Sequence, residues 1–413
     1  MRILLVHQYF LEKNDPGGSR FNEMTNQWVD SGHEVIVICG MLNYVTGKIP
    51  ERYRGQKFNV SYYRENLKVH RTYVSPGYNK SFMGRLWAYF SFVWYGTIAG
   101  MKEEGQFDCV VASSPPLFVG VIAIILAKLK KTKFLFEVRD LWPESAIETG
   151  VIKSKTIAGM SFWLEKLIYR KARLINVLTP AFEKNLIEKK RIPGSKITVI
   201  PNASDFESSK LAMDSKDFVL LRKKLGIEGM FSVIYVGAHG IANKLDQLID
   251  SAVLLREEKV EFILIGDGMD KQRLIKYASE KGVNNVKFLN PVSKQEVYSY
   301  ILAADVGVSV LKKTDTFKTV YSNKTFDYMS CKKPVIMAID GASRELVEKA
   351  NCGLYAEPEN PSDIADKIRV YLNDRQLVDA HGQNGYKYAK ANFDRAILSK
   401  KYIDNIEKVS QSV

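Results

Sequence analysis

The sequence has few cysteines and lacks the spacings with which cysteine and histidine bind metal. Its 413 residues contain four cysteines and five histidines, with no C-x-x-C pair and no short histidine spacing. A zinc site and a disulfide framework are therefore not expected. The cysteines, predicted to be buried thiols of a reducing compartment, are Cys39, Cys109, Cys331 and Cys352.

Long apolar runs are also scarce. The apolar stretch at the amino end is too short for a secretory signal, so export is not expected. Residues 82–101 carry a single charge, Arg85, and approach the length of about 20 residues that spans a bilayer. Their dense aromatic content fits a helix at a membrane surface or in a packed core better than a transmembrane helix. Residues 161–174 form a basic amphipathic pattern, which suits either anionic lipid or an ordinary solvated helix.

Positive charge is concentrated in the first half of the chain. Residues 1–200 hold 29 Lys and Arg against 17 Asp and Glu, a net of +12, whereas residues 201–413 hold 31 against 29, a net of +2. This asymmetry indicates an anionic partner for the first half. No zinc finger or other nucleic-acid-binding signature accompanies the basic residues, so a membrane surface is favoured over nucleic acid.

Apolar strand candidates alternate with helical patterns throughout, which predicts parallel sheets covered by helices. In the first half they are 3–6, 34–39, 68–73, 109–112, 133–137, 174–178 and 197–200. In the second half they are 232–236, 261–265, 286–289, 306–310 and 334–337. A strand, a glycine turn and a helical pattern open each half, an arrangement that holds anions at a helix N-terminus.

The sequence therefore predicts an α/β protein of two nucleotide-type domains that face one another across a cleft. We place the first domain at residues 1–205 and the second at 206–413, because apolar periodicity lapses after 201–205. The final helix can pack back on the first domain.

The sharpest motif lies at residues 322–336. Asp327 stands near the start of a short helix that leads into a strand beginning with Pro334, a pattern suited to binding ribose hydroxyls and phosphate. Together with other stretches in order, this motif resembles glycosyltransferase family 4, a family of retaining enzymes. The similarity extends to bacterial members of O-antigen and capsule assembly that are N-acetylfucosaminyltransferase-like. The other stretches are 16–18, 32–35, 137–145, 178–180, 199–202 and 265–268.

The resemblance implies the GT-B architecture and a retaining transfer. The sugar, an N-acetylated or deoxy hexosamine being one option, would pass from a nucleoside diphosphate, UDP being favoured, to a saccharide linked to polyprenyl diphosphate. It implies no cofactor besides the donor, no nucleic acid and a peripheral location on the cytoplasmic face of the cell membrane.

On the donor side, the resemblance assigns Gly17 and Gly18 to a loop whose backbone approaches the diphosphate or the acceptor, although a plain turn is the alternative. Asp327 takes the place of the second acid of the family's E-x7-E motif. The first acid falls at Thr319, so the motif is incomplete and neighbours within 318–323 must recognise the sugar. The further donor-side residues are Gly237, Asn243, Gly266, Asp267, Pro291, Ser322 and Asn323.

Many relatives neutralise the departing diphosphate with an Arg and a Lys. The Arg position corresponds here to Ala238, and the Lys position to Lys244, or to Asn243 if the loop is one residue shorter. Lys324 is a candidate for the missing positive charge. A solvated surface charge is the alternative for either lysine. Because no D-x-D pair occurs, lysines and backbone dipoles are expected to replace a metal ion.

On the acceptor side, Asp140 follows the strand candidate 133–137, and chemistry collects at the carboxyl ends of parallel strands. The resemblance places the acceptor-side catalytic residue here, with Glu144 nearby and Arg139 available to bind phosphate or orient Asp140. A helix N-cap is the alternative for Asp140.

The sequence leaves three other functions as alternatives. An epimerase acting on a sugar nucleotide shares the two-domain plan but needs no acceptor. A nicotinamide-dependent oxidoreductase is disfavoured because neither glycine turn reads G-x-G-x-x-G. A catalytically inactive membrane scaffold is suggested only by Thr319 and Ala238.

Overall fold

The computed structural model describes residues 1–12, 20–43, 47–77, 82–148 and 150–411. They fold as two compact units. The first unit contains the described chain up to Pro201 and again from Ala396 onward, whereas the second contains Asn202–Arg395. This division falls close to residue 205, the boundary expected from the sequence, and it assigns the last helix to the first unit.

The strands of the first unit form one sheet. They are β1 (Arg2–Val6), β2 (Glu34–Gly40), β3 (Phe58–Arg64), β4 (Leu67–Thr72), β5 (Cys109–Ser113), β6 (Lys133–Val138), β7 (Leu174–Val177) and β8 (Ile197–Val199). Their order is β3-β4-β2-β1-β5-β6-β7-β8, and every neighbouring pair is parallel except β3 with β4. Continuous burial of β1, β2 and β5 fits a parallel sheet covered on both faces.

The strands of the second unit form a second, wholly parallel sheet. They are β9 (Phe231–Val236), β10 (Val260–Ile265), β11 (Val286–Leu289), β12 (Val306–Val310), β13 (Val335–Ala338) and β14 (Gly353–Tyr355). Their order is β11-β10-β9-β12-β13-β14. Counted within the unit, this order is 3-2-1-4-5-6, that of a Rossmann fold. The parallel strands of the first unit begin with the same order.

Helices cover both sheets. Those of the first unit are α1 (Arg20–Asp30), α2 (Phe82–Lys102), α3 (Val119–Leu129), α4 (Glu144–Glu148), α5 (Lys155–Lys171) and α6 (Pro180–Glu188). They are followed by α7 (Phe206–Ser215), α8 (Asp217–Lys224), α9 (Asp246–Leu254), α10 (Lys271–Glu280), α11 (Lys294–Ala303), α12 (Asn323–Ser330), α13 (Ala342–Ala350), α14 (Pro361–Asn373), α15 (Arg375–Asn392) and α16 (Arg395–Gln411). Local sequence explains the start of α11, where Ser293 and Glu296 form a capping box.

The prediction of two Rossmann-like α/β units is confirmed, and each predicted strand is present. Two strands were not predicted. β3 (Phe58–Arg64) lies at the sheet edge with alternate side chains exposed, so it lacks the continuous apolar run of its neighbours. β14 (Gly353–Tyr355) has only three residues, too few for a periodic signal.

The last helix, α16, completes the core of the first unit. Its Tyr402 is fully buried and packs against two aromatic side chains of α1. The ring centroid of Tyr402 lies 5.4 Å from that of Trp28 and 6.0 Å from that of Phe21. The first unit therefore depends on a segment that follows the whole second unit in the sequence.

The aromatic segment 82–101 forms α2, which packs through its small residues. A Cβ at Gly100 would lie 2.4 Å from the Leu126 side chain, and a Cβ at Gly96 would lie 3.0 Å from that of Ile122. Large apolar side chains instead point outward on the opposite face at helical spacing. They are Met83, Trp87, Phe90, Trp94 and Met101, here called the aromatic stripe.

The aromatic stripe bears on the alternatives that the sequence left open for this segment, namely a transmembrane helix, a helix at a membrane surface and a helix in a packed core. Within the described residues, none of the helices combines the length and apolar character needed to cross a bilayer. Core packing explains the face of α2 that contains Gly96 and Gly100, but it does not explain the opposite face. There Trp87 and Trp94 are about two thirds exposed, at 64% and 67%. On α5, Trp163 is exposed to a similar extent.

Candidate functional site

In the second sheet the strand order reverses between β9 and β12, and ligands of such sheets bind beyond the carboxyl ends of strands at this point. β9 ends at Val236 and continues into the predicted glycine turn. The hydroxyl of Tyr235 donates to the carbonyl of Ala238 at 2.9 Å and closes this turn. Ala238, which stands where many relatives have an arginine, is therefore held through its backbone by Tyr235 of β9.

Two of the predicted glycine segments pack directly on each other. The N–H of Gly237 donates to the carbonyl of Ile265 at 3.0 Å, and the N–H of His239 donates to that of Asp267 at 2.8 Å. A Cβ at Gly266 would lie 1.8 Å from the carbonyl oxygen of Gly237. The structure thus brings together Gly237, Gly266 and Asp267, and it shows that Gly266 is required for the two loops to approach.

His239 is a buried residue of this turn that sequence reasoning did not select. Both of its ring nitrogens are buried without a hydrogen-bond partner among the described residues. Burial, reinforced by the charge of Lys271, lowers the pKa of His239 to about 4. The ring is therefore neutral at physiological pH and fills space behind the turn.

Lys324 stands at the same place, at the start of α12. Its Nζ lies 4.9 Å from the centroid of the Tyr235 ring, and its Cε would lie 3.3 Å from a Cβ at Gly237. Burial lowers the pKa of Lys324 to about 8, against the opposing charge of Asp327. The structure thus sets a partly desolvated ammonium group beside the glycine turn, where the sequence suggested a compensating charge.

Asp327 is held from α11. Its Oδ1 accepts from the ammonium of Lys294 at 2.9 Å and from the hydroxyl of Tyr298 at 3.1 Å. Neither partner was predicted, since each lies about thirty residues earlier in the chain. The carboxylate predicted to bind ribose therefore already has two donors on one oxygen.

The neighbouring predicted residues differ in exposure. Ser322 is buried, and its hydroxyl donates to that of Ser309 at 3.3 Å, which ties it to β12. Asn323 is exposed, and its side-chain oxygen accepts from the amide of Asn202. Thr319, at the place of the family's first acid, ends a 3-10 turn and donates to a carbonyl of that turn at 2.7 Å.

Lys244 follows a 3-10 turn that ends at Asn243. The side chain of Lys244 is 42% exposed, and its Nζ lies 3.7 Å from a carboxylate oxygen of Asp246. Asp246 in turn receives two hydrogen bonds from Arg273, at 2.6 and 3.0 Å. The charge of Lys244 is thus shared with a neighbouring ion pair, unlike that of Lys324. Pro291 is exposed in the segment after β11.

In the first unit, Asp140 lies just beyond the carboxyl end of β6, as the sequence predicted. The hydroxyl of Ser145 donates to its Oδ2 at 2.8 Å. Burial raises the pKa of Asp140, with this hydrogen bond opposing the shift. The carboxylate thus hydrogen-bonds the turn that follows it, which agrees both with an N-cap and with a role on the acceptor side.

Arg139 is close enough to His7 to influence its titration. His7 follows β1 and is buried against the ring of Phe21, at a centroid distance of 5.1 Å. Burial comes first and the charge of Arg139 second among the causes that lower the pKa of His7 to about 3. Arg139 and a neutral His7 thus lie at the carboxyl ends of β6 and β1.

Glu144 belongs to a different group of charges. It forms an ion pair with Lys190, which also binds Glu165 at 2.7 Å. Burial raises the pKa of Glu165 to about 7. The negative charge of Glu144 contributes to the raised pKa of Asp140, although its own ion pair is with Lys190.

A buried ion pair at this end of the sheet was missed. The guanidinium of Arg20 donates to Glu137 Oε2 at 3.1 Å, and that oxygen also accepts from Asn176 at 2.9 Å. The hydroxyl of Ser113 donates to the other carboxylate oxygen at 3.2 Å. Glu137 is fully buried. A lone glutamate within an apolar strand was the available signal.

Gly17 and Gly18 lie outside the described residues. Within the described ranges, no three His, Cys, Asp or Glu side chains are grouped so that they could hold a metal ion.

Known proteins match both halves of this chain. Residues 17–203 match the family "Glycosyl transferase 4-like domain", and residues 217–388 match "Glycosyl transferases group 1". A relative from Escherichia coli K12, provisionally named colanic acid biosynthesis glycosyl transferase WcaI, is 22% identical over 98% of this chain and 100% of its own.

A second relative is the N,N'-diacetylbacillosaminyl-diphospho-undecaprenol alpha-1,3-N-acetylgalactosaminyltransferase of Campylobacter jejuni. It is 23% identical over 70% of this chain and 74% of its own. Among solved structures, Anabaena HepE in complex with UDP-glucose superposes with a TM-score of 0.72 at 19% identity. That match covers 99% of this chain and all of the other. At such identity this likeness concerns the fold.

Proposed function

Because the chain carries a glycosyl transferase 4-like domain followed by a glycosyl transferases group 1 domain, we propose that it is a retaining glycosyltransferase. Its donor is a UDP-sugar, and its acceptor is a saccharide linked to polyprenyl diphosphate. The product enters a surface polysaccharide. The matching families and the two reported relatives are glycosyltransferases, so the epimerase interpretation is not favoured.

The observation that carries the proposal is the position of Lys324. A half-buried ammonium beside a glycine turn, where the strand order reverses, is suited to a diphosphate. During transfer the bond between the sugar and the diphosphate breaks, and negative charge grows on the departing phosphate. Lys324 stabilises that charge more strongly than an exposed lysine does, because it is partly removed from water.

Retention follows if the acceptor hydroxyl attacks from the face that the diphosphate leaves. A new bond forms between the acceptor oxygen and the sugar carbon, and the hydroxyl proton passes to the departing phosphate oxygen. In this scheme Asp140 accepts a hydrogen bond from the acceptor and orients it, while Arg139 binds acceptor phosphate. Asp327 and the exposed Asn323 contact the donor sugars.

The proposed acceptor is membrane-bound, and the aromatic stripe supports this choice. Trp and Tyr side chains prefer the headgroup boundary of a bilayer. The net charge of +12 over residues 1–200 favours anionic lipid. The Campylobacter relative is named for an acceptor with a diphospho-undecaprenol carrier. We therefore place the protein on the cytoplasmic face of the cell membrane.

The proposal is tested by transfer itself. Nucleotide sugars are first screened for thermal stabilisation, since a ligand that binds only the folded state raises stability. The stabilising donor is then incubated with an undecaprenyl-diphosphate-linked saccharide, with and without EDTA. We expect transfer with retained anomeric configuration, read by NMR, and equal rates in both samples. Donor consumption without transfer to an acceptor would contradict the proposal.

A further inference from the structure

A cavity of about 1020 Å³ lies in the first unit, away from the residues described above. Seven of its lining side chains are cationic, and no aspartate or glutamate is among the described residues that line it. It lies where three neighbouring strands begin, whereas Arg139 and Asp140 follow the end of β6. At about 3.3 Å per residue, the six residues of β6 separate the two places by roughly 20 Å.

Three of the cations stand at the starts of adjacent strands. Lys133 is the first residue of β6, Arg173 directly precedes β7, and Lys196 directly precedes β8. The backbone N–H of Arg173 donates to the carbonyl of Phe134 at 2.9 Å, which fixes it beside β6. Since neighbouring strands lie about 4.8 Å apart, the three residues are gathered at one end of the sheet, where all three line the cavity.

Lys196 is the best fixed of the three. Its ammonium donates to the carbonyl of Arg170 at 2.9 Å, so its position is set by the end of α5. Burial and the nearby charge of Arg173 lower its pKa. Besides burial, a like charge in the same lining thus makes the charged form of Lys196 less favourable.

Helix ends account for only some of the cations. Lys128, Arg170, Lys171 and Lys408 lie near the carboxyl ends of α3, α5 and α16, where positive charge complements the helix dipole. The three cations at the strand starts do not belong to these helices. Like charges that gather in one lining without a carboxylate among the described lining residues repel one another, so these three cations require an additional reason.

We propose that this cavity, here called the basic pocket, binds a ligand bearing a phosphate or diphosphate group through Lys133, Arg173 and Lys196. Thr132 and Ser195 supply neutral donors in the same lining. The ligand chemistry is shared by two sources, a free phosphorylated molecule and the headgroup of an anionic lipid. In either case the site lies apart from the residues proposed for transfer, so it affects location or regulation rather than chemistry.

The test uses inorganic pyrophosphate as the probe. Calorimetric titrations compare the wild type with Lys133→Gln/Arg173→Gln, which leaves the fixed Lys196 intact. The matched control is Lys153→Gln/Lys155→Gln, which removes the same charge from exposed positions outside the lining. All three are also made with Lys324→Met, so that the proposed donor site does not contribute.

We expect the pocket variant to bind pyrophosphate at least tenfold more weakly than the wild type and the control. Its melting temperature without ligand should equal or exceed that of the wild type, because like charges have been removed. Equal affinities in the pocket variant and the control would overturn the proposal. So would stabilisation of the wild type by pyrophosphate that sodium chloride reproduces at equal ionic strength.

A second measurement distinguishes the sources. Sedimentation with phosphatidylglycerol vesicles is compared for the same proteins, with phosphatidylcholine vesicles as the neutral reference. If lipid headgroups occupy the pocket, the pocket variant binds the anionic vesicles less than the control does, and pyrophosphate competes. If a free ligand occupies it, vesicle binding is equal while the calorimetric difference remains.

Discussion

The parallel strands of the two sheets share the order 3-2-1-4-5-6, yet each sheet treats a cation near the carboxyl ends of its strands in the opposite way. In the first unit Arg20 is buried and paired with Glu137, whose second oxygen is bound by Ser113. In the second unit Lys324 is half-buried and, among the described residues, forms no ion pair with a carboxylate within 4.0 Å.

This difference indicates that the Arg20–Glu137 pair stabilises the fold, whereas Lys324 is suited to binding a ligand. A buried charge that lacks a partner is costly, so a pair such as Arg20 with Glu137 is closed and holds its strands together. An ammonium that lies near a glycine turn, beyond ion-pair distance of a carboxylate among the described residues, keeps its charge available for an anion. The first site therefore shapes the fold, and the second is suited to binding.

Removing Glu137, the partner of Arg20 in the first unit, should have the largest effect on stability. We expect Glu137→Ala to lower the free energy of unfolding by about 3–5 kcal/mol, because Arg20 would remain buried without its carboxylate. Urea unfolding measures the loss. Asp30→Ala, which removes an exposed partner of Arg64, serves as the control and should cost less than about 1 kcal/mol. Equal losses would remove the distinction between a buried and an exposed pair.

The two units should also differ at a membrane, since only the first carries the aromatic stripe. We expect Trp87→Ser with Trp94→Ser to weaken binding to anionic vesicles by about 3 kcal/mol, since each indole loses apolar contact with lipid. Co-sedimentation at high salt isolates this contribution, because salt screens the basic residues. The control is Leu220→Ser, an exposed apolar residue of the second unit. Wild-type protein that stays in the supernatant at low salt would contradict membrane docking.

Removing the unpaired cation should affect binding rather than folding. Lys324→Met keeps the aliphatic chain over Tyr235, and we expect it to weaken UDP binding by about 2 kcal/mol, or thirtyfold. Stability should stay equal or rise, because a desolvated charge is lost. Calorimetry with UDP measures the effect, with the exposed Lys349→Met as the control. An unchanged UDP affinity in folded Lys324→Met would exclude the proposed role.

The smallest effect concerns two buried histidines that follow the first strand of each sheet. Burial lowers the pKa of His7 to about 3 and that of His239 to about 4, so the unfolded chain binds more protons between these values and 6.5. Stability should therefore rise with pH in that window and be lost as pH falls below 6.5. Each histidine contributes a slope of about 1.4 kcal/mol per pH unit.

Urea unfolding at pH 4.5 to 7 measures this slope. His7→Gln and His239→Gln should each flatten it by the contribution of one group. The two variants control for one another, since each should change the unfolding of its own unit. A slope that neither substitution alters would show that other groups bind the protons.

The sequence predicted best those features whose structure is determined by one short segment of the chain. Parallel strands buried on both faces are continuous apolar runs, so they were recognised, whereas the half-exposed edge strand β3 was not. Asp140 and Gly237 were placed at strand ends by the same reasoning. Their local geometry follows from a strand and the turn after it.

The remaining features depend on residues distant in the sequence. Lys294 reaches Asp327 from 33 residues away, and Arg20 reaches Glu137 from 117 residues away. No local sequence pattern predicts such pairs, because their members come together only when the chain folds. Lys244 shows the converse, since its place in a family motif did not reveal that Asp246 shares its charge.

The packing of Tyr402 against Trp28 and Phe21 has a consequence for synthesis of the protein. On the ribosome the first unit emerges first, but its core lacks Tyr402 until the chain beyond Ala396 has been made. Among the described residues the second unit is continuous from Asn202 to Arg395, so it can finish folding earlier. The order of maturation is therefore the reverse of the order of translation, and the unit made first waits longest for its final helix.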